Sequence, residues 1–189
     1  MPFWAMGALS FLPLWGFMYA RGLTPETKVV EGPISIGTEV YTNCSSCHGA
    51  AGGGGVGRQL SGGEVLKTFP AIEDQLNLVY TGSQAYDVAG LTTYGDPNRE
   101  GGPHQPGWGK GAYMPAQGGS LTDVEILGVV CHERYDLGGA DPTSEQWAAE
   151  YEEWCAPEAP KFLELEEGKT FADLEGVGTT PRPSVLAQG

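Results

Sequence analysis

Cys44-Ser45-Ser46-Cys47-His48 decides the fold of this chain. Two cysteines three positions apart, with a histidine directly after the second, form the attachment signature of a c-type haem. Each thiol adds across one haem vinyl group, and the short spacing turns both sulfurs toward one porphyrin edge. His48 then lies over the iron as its proximal ligand, from where a protein tunes haem electronics and potential. A zinc half-site and a thioredoxin-like redox pair are the competing readings. Zinc calls for a second cysteine or histidine pair at matching spacing, and the sequence holds none.

The distal ligand follows by elimination. Methionines stand at 1, 6, 18 and 114, and the first three lie in an apolar N-terminal stretch. Met114, in Tyr113-Met114-Pro115-Ala116, sits in a loop too rich in glycine and proline for regular structure. A thioether at that position favours ferrous iron and raises the potential. Met114 is the expected ligand, and His104 and His132 are its rivals. A core methionine filling a gap is the bland alternative.

Residues 34–137 resemble a class I cytochrome c. Gly37 and Tyr41 fall on a helix leading into the haem motif, like that family's N-terminal helix. His48-Gly49, the glycines from Gly52 to Gly57, and Leu60 resemble its loop after the proximal histidine. Arg58 stands where the family carries a proline whose carbonyl holds the histidine's other nitrogen, a bond any residue's backbone supplies. Ile72 to Tyr80, followed by Thr81-Gly82, resembles the middle helix. Met114-Pro115-Ala116 and Leu121-Thr122-Asp123 resemble the ligand loop and the start of the last helix.

Thr122 or Asp123 suits the N-cap of that helix, and Glu125 adds charge where the dipole favours it. Val124, Leu127, Val130 and Cys131 predict one apolar face. His132 takes the place of the family's aromatic at the helix crossing and reads as a packed residue. A turn-rich insertion, with Gly95-Asp96-Pro97-Asn98 and Gly101-Gly102-Pro103, precedes Met114. Trp108 and Tyr113, near its end, are expected either on the haem or over the loop. The resemblance implies a mainly α fold of short helices around one covalently bound haem c. Cys44, Cys47, His48 and Met114 would bind the cofactor, and His48 and Met114 the iron.

Two flanking parts complete the organisation. Pro2 to Ala20 carries no charged residue and is crowded with Phe, Trp, Leu and Met. Nineteen helical residues reach roughly 28 Å, close to a bilayer's hydrocarbon thickness. Trp15 and Tyr19 suit the headgroup level. A cleaved signal peptide would need a basic start and a small-x-small cleavage site, and Met18-Tyr19-Ala20 does not supply one. The expected division is a transmembrane anchor at 1–22, a linker at 23–33, the haem domain at 34–137 and an acidic, irregular extension at 138–189. Arg21 and Lys28 follow the anchor and no basic residue precedes it, so positive charge gives no support for an outside domain. Haem attachment nevertheless takes place outside, which puts the domain on the periplasmic or outer face of a bacterial membrane.

Cys131 and Cys155 are the remaining cysteines, and an exported compartment permits a bond between them. It would tie the last helix to a short helix around Ser144 to Trp154; two buried free thiols are the alternative. From Asp141 to Gly189 eleven acidic side chains face three basic ones. With few apolar residues, this tail is expected to be solvated or to lie along a partner. The whole chain carries a formal charge of −14, which excludes nucleic acid as a partner.

The expected function is single-electron transfer between respiratory partners, as a membrane-anchored subunit of an electron-transport complex rather than an enzyme. A haem–copper oxidase or a quinol-oxidising complex would be the neighbour, and the bilayer would hold residues 2–20. A haem enzyme or gas sensor with a displaceable distal ligand is the alternative, as is a mainly structural subunit.

Overall fold

A computed structural model describes residues 12–19, 32–109 and 111–188. Two units divide the chain, Met1–Val30 and Glu31–Gly189. In the first, residues 12–19 form a helix, α1, on which Leu14, Trp15 and Met18 are each at least 60% exposed. No described helix is long and apolar enough to cross a membrane. Most of the expected anchor and linker lies outside the described residues.

The second unit is helical, with no strand among its described residues and two isolated β-bridges in the insertion. Helix α2 (Pro33–His48) starts with proline in its first turn, where a missing N–H costs nothing. It carries the whole haem motif and stops at Gly49, whose φ of 79° only glycine adopts readily. The glycine loop then folds back: Gly57 N donates to Cys47 O and Gly54 N to His48 O, satisfying carbonyls that a helix end leaves open.

Short helices follow: α3 (Glu64–Thr68), α4 (Ile72–Thr81) and α5 (Ser83–Val88). Helix α6 (Asp123–His132) opens with a capping box, in which Thr122 accepts from Glu125 N and Glu125 accepts from Thr122 N. It crosses α2 at bare backbone. A Cβ on Gly37 would stand 1.9 Å from Gly128 O and 2.9 Å from His132 Cβ. His132 is packed there, its ring 5.1 Å from that of Tyr41 and its Nδ1 2.7 Å from Asp136 Oδ2. A π-helical turn, Glu133–Leu137, continues α6.

The extension departs from expectation. Beyond α7 (Ala148–Glu150), a second π-helical turn (Tyr151–Cys155) and α8 (Pro160–Glu166), Phe162, Phe171, Leu174 and Val177 are all buried in the shared core. The tail therefore lies along the chain's own haem domain. Its apolar residues are too few for a core of their own but sufficient to cover α6. For the same reason α6 is apolar nearly all round: Ile126, Leu127, Val129, Val130 and Cys131 are each at most 1% exposed. Cys131 and Cys155 are disulfide-bonded. Arg182 pairs with the buried Asp74 at 2.6 Å, and Asn77 Nδ2 donates to carbonyls of Val177, Gly178 and Thr180, so α4 holds the final segment.

Candidate haem site

His48 ends α2 with its ring fixed. Its Nδ1 donates to the carbonyl of Arg58 at 2.7 Å, which leaves Nε2 as the coordinating nitrogen. Gly57 lies against the ring face; a Cβ there would meet Cε1 at 3.0 Å and both nitrogens at 3.1 Å. Cys44 and Cys47 lie one turn apart on the same helix, Cys44 half-buried and Cys47 exposed. Burial first, then the charges of Glu133 and Cys47, pushes the Cys44 thiol up to about 12.

His48 faces a cavity lined from α2, α3, α4 and the loop that carries Met114. Leu60, Val65, Phe69, Leu78 and Val79 make much of its wall apolar. Met114 lines the same cavity. Its loop is clamped: Met114 N donates to Ser83 Oγ at 2.9 Å, and Met114 O accepts from Ser83 N at 3.0 Å. Gly82 permits this approach, since a Cβ there would come within 2.5 Å of Ala116 N. Gln117 N and Gly118 N then bond the carbonyls of Val79 and Tyr80, seating the loop on the end of α4.

The insertion closes another side. Trp108 lines the cavity and donates from Nε1 to Val56 O, whereas Tyr113 donates to Asp87 on the surface. The Arg58 guanidinium lies between Trp108 and Tyr94, 5.7 and 6.0 Å from their ring centroids. It donates from Nη2 to Gln105 O, but its buried Nε has no partner among the described residues. Of the rival ligands, His104 lines the cavity beside this cluster; burial, then Arg58 and Arg99, lowers its pKa to about 4. His132 does not line it.

These residues fit a haem. An imidazole with a fixed tautomer and a thioether share one apolar cavity, with two thiols on the helix that leads into it. The orphaned Arg58 Nε is suited to a propionate carboxylate. Arg58 was legible only through its backbone; its side chain, together with Gln75, Ser83 and Glu133, meets the site through contacts far apart in sequence.

A sequence model of the family described as cytochrome c matches residues 34–132, just over half of the chain. No curated protein and no solved structure matches.

Proposed function

The chain belongs to the cytochrome c family, whose members carry covalently attached haem c and transfer electrons, and from that premise we propose that it is a class I cytochrome with His48 and Met114 as axial ligands. Cys44 and Cys47 hold the haem through thioethers. The bound haem supplies a one-electron couple between ferric and ferrous iron. The chain's own residues set the conditions for it. Arg58 O orients the imidazole and increases its basicity through Nδ1. Ser83 holds the backbone of Met114, which would keep its thioether in place to ligate the iron.

The observation that carries this reading is that His48 and Met114, 66 positions apart, line one apolar cavity. Met114→Ala tests it. Loss of the thioether is expected to lower the midpoint potential by roughly 100 mV or more, within the ~0.8 V that axial ligands span. It should also open the ferrous iron to carbon monoxide. A wild-type protein that binds carbon monoxide at neutral pH, with the same potential in the variant, would instead support a haem enzyme or sensor.

We place the domain on the periplasmic or outer face of a bacterial membrane, tethered by residues 2–20 to a respiratory complex that contains a haem–copper oxidase or oxidises quinol. The uncharged apolar sequence of that stretch supports the tether, as do the exposed large side chains of α1. The acidic surface suits encounter with a basic redox partner. Extraction from native membranes in mild detergent tests the placement: the haem band should co-purify with other redox subunits, and a haem band released by salt alone would contradict the tether.

A further inference from the structure

We propose that Glu133 is a redox-linked proton site: its carboxylate takes one proton from solvent when the iron accepts one electron from a donor protein, and releases it on oxidation. The proposal rests on the haem reading above. Glu133 lines the same cavity as His48 and Met114 and is 5% exposed. Its carboxylate makes one hydrogen bond among the described residues, accepted by Oε2 from Gln75 Nε2 at 2.8 Å. A buried carboxylate with a single neutral donor and no cation is strongly disfavoured in its charged form.

The neighbouring guanidinium does not relieve it. Arg134 Nη1 donates to Gln75 Oε1 and to Phe69 O, while Nε and Nη2 grip Glu150 at 2.7 and 2.6 Å. Gln75 thus stands between the two charges, turning its amide to Glu133 and its oxygen to Arg134. On α2, Tyr41 and Cys44 sense the Glu133 charge, and both are neutral at physiological pH. On α3, the cavity-lining Val65 and Thr68 are uncharged, and Glu64 is occupied by Lys67 and Arg99. On α4, Asp74 is held by Arg182. Arg58, Tyr94 and His104 line the cavity from the insertion side, and His104 stays neutral above about pH 4. Burial raises the Glu133 carboxyl to about 7, with the Gln75 bond opposing it.

An added electron makes a nearby carboxylate harder to keep ionised. Two charges about 10 Å apart at an effective dielectric near 20 change each other's proton affinity roughly tenfold. The balance is simple. On reduction of the bound haem by one electron from a donor protein, Glu133 would gain an O–H bond with a proton from water, and no bond in the protein would break. The net charge of the cavity is the same before and after.

Redox titration of the haem-loaded protein from about pH 5 to 9 tests the proposal. The midpoint potential should fall by about 60 mV in all across the titration of Glu133, the amount a tenfold change in proton affinity sets for one electron, with a slope of about 30 mV per pH unit at its steepest. Glu133→Gln should flatten that slope. In the wild type, the redox infrared difference spectrum should gain the carbonyl stretch of a protonated carboxylic acid on reduction. Gln75→Leu, which removes the one donor to the carboxylate, should move the sloping region to higher pH and serves if Glu133→Gln does not load haem. A wild-type potential independent of pH, a slope unchanged in Glu133→Gln, or no carboxylic band on reduction overturns the proposal. A chain that takes no haem, or is not reversibly reduced, overturns the haem reading instead.

Discussion

Ser83 holds Met114 on both sides of its Cα, its Oγ accepting from the Met114 N–H and its own backbone N–H donating to the Met114 carbonyl. Ser83→Ala keeps the second bond and orphans the first donor in a partly buried loop. That should cost about 1–3 kcal/mol. Guanidinium denaturation should show the loss, together with displacement of the distal ligand by added imidazole at lower concentration than in wild type. Glu133 makes a second prediction at this scale, about stability rather than potential. Its carboxyl titrates at about 7 in the folded chain, against ~4.3 for an unfolded glutamate. Between those values the folded state holds a proton the unfolded state has lost, so stability falls as pH rises through about 7 and is level above it. Glu133→Gln should therefore match wild type near pH 4 and exceed it above pH 7, on the order of a few kcal/mol. Thermal melts at both pH values, with the iron in one redox state, check the sign.

At the scale of elements, the crossing of α2 and α6 leaves no room for a side chain. Gly37→Ala sets a methyl 1.9 Å from Gly128 O, so the helices must separate. Backbone contact cannot yield by rotamer change, and a loss of at least ~3 kcal/mol is expected. Haem loading of the variant and its melting temperature measure it. How far elements can be read from the sequence differs along the chain. Ile72 to Tyr80, closed by Gly82, could be read from its likeness to the family's middle helix, and local chemistry narrowed the cap of α6 to Thr122 or Asp123, of which the structure uses Thr122. Gly128 was not legible, because its partner is 91 positions away and a helix-interior glycine carries no local mark. Nor was the burial of α6 on all sides: the residues that cover its far face, such as Phe162 and Phe171, come from a stretch whose charge suggests solvent.

For the whole molecule, the haem motif and the ligand loop could be read as chemistry, since few residue types ligate iron. The fate of the extension could not, because its fold depends on tertiary partners on α4 and α6 rather than on a periodic pattern of its own. Beside its buried apolar residues and the Asn77 bonds, the Cys131–Cys155 disulfide and the Asp74–Arg182 pair attach it. Replacing both cysteines by alanine reopens a loop of 24 residues and should cost ~3 kcal/mol. Denaturant melts of the double variant should reproduce the fall that reducing agent causes in wild type, and the variant itself should be indifferent to reductant.

The burial of Phe171 and Val177 also bears on the order of events during synthesis. Chains emerge N-terminus first, at ~5–20 residues per second, and segments fold as they become complete. Cys44 and Cys47 leave the ribosome more than 120 residues before the side chains that finish the core. Until that late segment arrives, α6 has one uncovered flank and the domain cannot close. The two thiols are therefore made well before the core can be completed, and the interval between is set by chain length.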